Sequence, residues 1–313
     1  MALFTGFSEG WEVLKDAFKL FFKKPVFLVP LFLCWILVAG TVLYLRYYWV
    51  GPDDLTLFLL SVFLFIFFLS YIICFSNVVM LELMQQVEKG EQTSLMRALK
   101  ETLAKDMVKI VPIAAAWAIV WFIIVLIRAL TSKKKGRSEK RPEPSLEDAA
   151  MTLGGANSGP FSWLKLGLRM IEKLVRMTIF LTLPAIAWEG KDPFESFGTA
   201  ASVIKRHPAQ FLTTYTITGI IGAIMALPLV PLAFLPDEVD LPSVFWLAVI
   251  IYEGIIWTFG IYMEQMSVGL LYLWHLKWVK AKMADETLGD DLSFVAQPQL
   301  LDEVHELGDN TNQ

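Results

Sequence analysis

Leu57–Met80, LFLLSVFLFIFFLSYIICFSNVVM, carries no charged residue over 24 positions. Wound as an α-helix it is about 36 Å long, enough to cross the roughly 30 Å hydrocarbon core of a bilayer. The composition of the whole chain agrees with lipid as solvent. Its 313 residues are 56% hydrophobic and 19% charged, whereas about a quarter of a soluble domain is charged. The net charge of −4 is strongly segregated. Basic residues gather beside the apolar runs, and the tail from Ala284 holds eight acidic residues and no Lys or Arg. Such a distribution offers no basic face to nucleic acid. Cys34 and Cys74 both fall inside apolar runs and read as packing residues, with a disulfide or metal site as the minor alternative.

Working outward in both directions, the sequence predicts an all-α integral membrane protein with about six transmembrane helices. The spans fall near 26–47, 57–80, 110–127, 170–188, 211–234 and 245–274. The first follows a charged 25-residue segment and is long enough to cross, so it reads as an uncleaved anchor rather than a signal peptide. Three amphipathic helices, 7–24, 94–107 and 193–207, read as lying in the interface. Their apolar faces are predicted at Trp11, Leu14, Phe18 and Phe21, at Leu95, Leu99 and Leu103, and at Phe194, Phe197, Ala201 and Ile204. Asp192-Pro193-Phe194-Glu195 sets a cap, an N1 proline and an N3 glutamate in order, a helix start with a stated mechanism. Pro228 and Pro231 predict a kink in the fifth span. Residues 131–160 are rich in charge, Pro, Gly and Ser and read as a disordered loop, as does the acidic tail 283–313. Residues 1–282 form the polytopic domain.

Three units of one interfacial helix plus one hairpin begin near residues 7, 93 and 193. The second and third align at an offset of 100, Gly90 with Gly190 and Lys105 with Lys205. This threading puts fifteen Lys and Arg on the side of the N-terminus and twelve on the other. By the positive-inside rule both termini are cytoplasmic in a cell (inner) membrane. The middle hairpin strains the rule, because eleven basic residues lie between Arg128 and Arg176. Its fourth span also has an apolar core of only twelve residues, Met177 to Trp188. The alternative is four spans plus a re-entrant pair, with the 131–160 loop cytoplasmic.

Ionisable groups inside membrane helices are costly, so they are the first functional candidates. Glu253 and Glu264 are eleven residues apart, about three turns, and project from one face of the last span. Gln265 and Tyr262 lie beside them, and Asn77 with Ser70 and Ser76 gives the second span a polar stripe. Arg169, Lys173 and Arg176 are the cations these acids can meet. Glu253, Glu264, Gln265, Asn77, Arg169, Lys173 and Arg176 therefore form a candidate intramembrane polar site. Interhelical hydrogen bonding and ion pairing are its first reading, and a solute or ion path its second. Hydrolase, metalloprotease, phosphate-loop and C-x-x-C motifs are all missing, so no catalytic, cofactor-binding or metal residue is assigned. The three histidines are scattered along the chain.

GWEVLKDAFKLFFKKPVFLVPLF, NVVMLELMQQVEKGEQTSLMRALKE and LTLPAIAWEGKDPFESFGTAASVIKR resemble segments of a family of bacterial and archaeal six-span membrane proteins of unknown function. The likeness covers roughly residues 7–280 without the 131–160 loop, and it implies a fold and no activity. The expectation is a non-enzymatic scaffold, a partner-binding or lipid-organising protein with no cofactor. Its partners would be membrane lipids, a protein met through the acidic tail or basic loop, and further copies of the chain. A small-solute transporter or channel using the Glu253/Glu264 face is the alternative.

Overall fold

The computed structural model describes residues 2–131, 163–234, 242–285, 292 and 295, and the 131–160 loop and most of the acidic tail lie outside them. Among the described residues every regular element is helical. In chain order these are α1 (Ala2–Lys23), α2 (Leu28–Tyr47), α3 (Leu55–Glu88), α4 (Leu95–Glu101), α5 (Met107–Thr131), α6 (Trp163–Glu189), α7 (Pro193–Arg206), α8 (Pro208–Ala226) and α9 (Ser243–Ala284). Five stretches are long and apolar enough to cross a membrane: Pro25–Leu45, Leu55–Glu88, Leu95–Arg128, Pro208–Leu232 and Val244–Ala284. The predicted span at 170–188 is not among them, because α6 carries Glu172, Lys173 and Arg176 in its first half.

Local chemistry sets the boundaries. Asp54 caps α3 by accepting from the Leu57 amide at 2.9 Å, and Ser94 caps α4 by accepting from the Arg97 amide. Helices α3 and α6 both end on a glycine in the left-handed region, Gly90 at φ 69° and Gly190 at φ 65°, where a side chain is strained. The α7 start falls where predicted, with Asp192 as N-cap and Pro193 at N1, but the Asp192 side chain makes no capping bond. The Ser196 hydroxyl instead donates to the Asp192 carbonyl. Helix α4 does not stop before the third span. A π-turn at Thr102–Asp106 carries it straight into α5. Beyond Ala226, α8 tightens into a 3-10 segment, Leu227–Phe234, around Pro228 and Pro231, which is how the predicted kink is realised.

Helix α6 runs antiparallel to α5 along its length. Arg128, near the end of α5, bonds Glu172 near the start of α6 at 2.6 Å. At the other end Lys109 donates to the Gly190 carbonyl at 2.7 Å. Met177, Phe180, Leu181, Leu183, Ala185 and Ile186 of α6 are all fully buried, so α6 is the core helix of the bundle. It packs against α3, α5, α7 and α9. Helix α1 lies along α8 and α9, with the Tyr262 hydroxyl donating to the Ala17 carbonyl at 2.9 Å.

The buried faces of the three amphipathic helices overlap the predicted ones, with Leu14 buried and Phe21, Leu95, Leu99, Phe197 and Ile204 packed against the core, but are rotated toward small residues. In α1, Val13, Leu14, Ala17 and Leu20 are buried, while Trp11, Phe18 and Phe22 are exposed. Around the π-turn, Ala98, Thr102 and Asp106 are buried and Leu103 is exposed. In α7, Ser196, Ala200 and Val203 are buried and Phe194 is 83% exposed. Small residues let helices approach closely, and in lipid there is no penalty for leaving an aromatic outside. Cys34 and Cys74 are free, buried thiols.

One glycine of α9 marks a close approach and another does not. A Cβ on Gly254 would sit 2.8 Å from the Trp35 ring, whereas one on Gly260 of the same helix would meet nothing within 4 Å. Gly254→Ala should lower the unfolding temperature in detergent by the equivalent of about 1–3 kcal/mol of overpacking. Gly260→Ala should leave it unchanged or raised.

Candidate functional site

The charges of the candidate polar site converge on α6. Arg176 donates from Nε to Glu264 Oε2 at 2.7 Å and from Nη2 to Oε1 at 2.8 Å, a bidentate pair whose side chains are 24% and 6% exposed. Lys173 Nζ lies 3.8 Å from Glu264 Oε1 and donates to the Tyr215 carbonyl at 2.6 Å and the Thr218 hydroxyl at 3.0 Å. That ammonium fits because position 219 is glycine, where a Cβ would stand 2.9 Å from Nζ. Tyr215 closes the circuit by donating to the Met170 carbonyl at 3.0 Å. Lys173 and Arg176 thus meet acceptors from α8 and α9, and Glu172 meets Arg128 of α5.

The remaining predicted residues do not join this network. Gln265 is fully buried and donates to the Phe180 carbonyl at 3.2 Å, and Asn77 donates to the Ile73 carbonyl of its own helix at 2.9 Å. Glu253 lies about 16 Å along α9 from Glu264, half-buried, with one carboxylate oxygen that has no hydrogen-bond partner among the described residues. The Arg169 side chain falls outside the described residues. The predicted common face of Glu253 and Glu264 therefore divides, because only Glu264 reaches a cation.

Two groupings escaped the sequence reading. His207 and His275, scattered in sequence, meet with Nε2 and Nδ1 3.0 Å apart, both buried, and the His275 ring stacks on Trp278 at 5.7 Å between centroids. Around the π-turn, Glu82 and Asp106 are each 2% exposed, and Glu82 is hydrogen-bonded to the carboxyl group of Glu101. Glu82 Oε2, Asp106 Oδ2 and the Thr102 hydroxyl have no hydrogen-bond partner there. The usable signal was Glu82 only two residues past the apolar run, on a helix that does not break until Gly90. No group of His, Cys, Asp and Glu among the described residues is arranged to hold a metal ion.

Two kinds of cleft open on the surface. An apolar groove of about 580 Å³ lies between α1, α2, α8 and α9, walled by Phe18, Phe22, Phe32, Ile221, Met225 and Phe259. A polar cleft of about 800 Å³ is lined by Gly198, Ala201, Ser202, Lys205, Arg206 and Lys282. Neither cleft is lined by Glu253 or Glu264. No family model matches the chain, and no curated protein or solved structure is similar to it.

Removing half of a buried ion pair leaves an uncompensated charge. Glu264→Gln should destabilise the protein by about 3–5 kcal/mol in chemical unfolding, while Arg176→Met with Glu264→Met should recover most of that loss. Equal losses in the two variants would show that the pair is not the origin.

Proposed function

We propose that the protein is a non-enzymatic, multi-pass scaffold of the cell membrane that organises lipid or holds partner proteins. One observation carries this reading: both oxygens of Glu264, the most deeply buried acid of the last span, are taken up by Arg176. A group that relays ions or protons must exchange partners, whereas a bidentate guanidinium–carboxylate pair fixes two helices. A small-solute transporter is the second reading, favoured by the unpartnered oxygen of Glu253.

The scaffold crosses six times, with α6 as the fourth crossing. The end-to-end antiparallel run of α5 and α6 supports this, and so does the neutralisation of α6 charges by α5, α8 and α9. Both termini are cytoplasmic in this threading. The chain is a threefold repeat of interfacial helix and hairpin. The matched glycine ends of α3 and α6, each followed by a short helix leading into a span, support the second and third units. The resemblance to six-span membrane proteins of unknown function points the same way. Partners are membrane lipids and a protein engaged through the acidic tail or the basic loop.

The native cysteines are buried, so a single introduced cysteine reports its own position. Ser138→Cys should label with an impermeant reagent from outside intact cells; labelling only after permeabilisation would sink the six-crossing topology. Vesicles containing the protein should hold proton and sodium gradients as tightly as empty ones. A leak that Glu253→Gln abolishes would replace the scaffold with the transporter.

A further inference from the structure

We infer that the cleft between the C-terminal ends of α7 and α9 binds a phosphate group, carried by an anionic phospholipid or by a free phosphate ester. Residues 198, 201, 202 and 205 fall on one face of α7 at helical spacing. The first three are Gly, Ala and Ser, so the floor of the cleft is low, and a Cβ at Gly198 would meet nothing within 4 Å. Lys205, Arg206 and Lys282 form its rim.

Two of the three rim cations are held in place. The Trp278 indole, 1% exposed, has the Arg206 guanidinium 5.1 Å from its centroid and the Lys282 ammonium 4.9 Å away. Cation–π contact holds both cations beside one ring, and the buried His207–His275 pair braces that ring from behind. A second cleft of about 510 Å³, lined by Ser202, Arg206, His275, Trp278 and Lys282, adjoins the first. Lys205 and Arg206, adjacent at the end of α7, are like charges that repel unless an anion lies between them. Neither Lys205 nor Arg206 has a carboxylate partner among the described residues. The hydroxyls of Ser196 and Thr199 bond back to carbonyls of their own helix, and no such bond holds Ser202. Ser202 therefore has a donor to offer beside the cations.

Position selects the ligand. Trp278 and Lys282 lie about 6 and 12 Å beyond Trp274 along α9. If the apolar span ends at Trp274, Trp278 falls in the head-group layer, roughly 5–7 Å thick, and Lys282 at its aqueous edge, from which its long side chain reaches back to the Trp278 ring. A phosphate there meets cations and a hydroxyl, whereas a choline head group would add a cation to the rim. The inference goes beyond the scaffold reading and stands without it, because the cleft does not involve Glu253 or Glu264.

The experiment uses the full chain in detergent, with binding read by thermal shift and by native mass spectrometry. The probes are short-chain phosphatidate, short-chain phosphatidylcholine, inorganic phosphate and a synthetic peptide of residues 285–313. The site variant is Lys205→Gln, Arg206→Gln and Lys282→Gln together. A charge-matched control removes Lys15, Lys19 and Lys23 of α1 in the same way, and Lys205→Arg with Lys282→Arg keeps the charge. Phosphatidate should bind the wild type and the charge-keeping variant, and should lose about a hundredfold in affinity in the site variant only. Inorganic phosphate with the same variant dependence would name a free ester as the source; phosphatidate alone would name the lipid. Equal losses in site variant and control would overturn the inference, as would binding of phosphatidylcholine as tight as that of phosphatidate. Binding of the acidic peptide with no phosphate probe bound would also overturn it, giving the cleft to the tail.

Discussion

The architecture depends on a single charged contact, the fork of Arg176 on the Glu264 carboxylate. An arginine at the centre of a membrane helix is unfavourable by about 2.5–3.5 kcal/mol on insertion scales. Helix α6 carries Glu172 and Lys173 beside it. No amount of hydrophobic length elsewhere compensates such a helix against lipid. It is tolerable only where neighbours supply partners at fixed heights: α9 a carboxylate, α8 a carbonyl and a hydroxyl as acceptors, and α5 a guanidinium as donor to Glu172. The planar fork also fixes rotation as well as distance. The core helix is therefore less apolar than the five helices that are apolar enough to cross a membrane, which inverts the arrangement of a soluble domain.

That inversion recurs on a smaller scale. In water an aromatic stripe marks the buried side of a helix. Here α1, the π-turn region and α7 bury Ala17, Ala98 and Ala200 and leave Phe18, Leu103 and Phe194 outside. Lipid is as good a solvent for phenylalanine as a protein core is, so packing is decided by how closely backbones approach. Gly10 of α1 against Thr213 of α8 and Gly254 of α9 against Trp35 of α2 are two such approaches between helices.

Much of the fold was legible in the sequence for the same reasons. Uninterrupted apolarity marks α3, and the breaks at Gly90, Gly190 and Pro193 mark ends whose backbone chemistry allows little else. What periodicity does not carry is which helix faces which. Glu264 and Arg176 were both evident as anomalies, but eleven-residue spacing made Glu253 look like an equal partner of Glu264, and only the neighbouring helix separates them. The His207–His275 contact, 68 residues apart in sequence, leaves no local signature at all. The π-turn was invisible too, because one extra residue in a helical turn disturbs no pattern strongly enough to be seen. The predicted span at 170–188 reads as short because its first half is charged, and the partners of those charges, Glu264 for Arg176 and Arg128 for Glu172, lie on other helices that periodicity does not place beside it.

The separation of Arg176 and Glu264 along the chain has a consequence for biogenesis. Their side chains meet across 88 residues, which a ribosome takes about 4–18 s to add at ordinary elongation rates. Throughout that interval α6 has been made and its counter-ion has not. The nascent bundle is then a set of helices with an uncompensated cation between them, and the last helix arrives as the piece that neutralises it. Completion of this contact is in this sense electrostatically timed to the synthesis of α9.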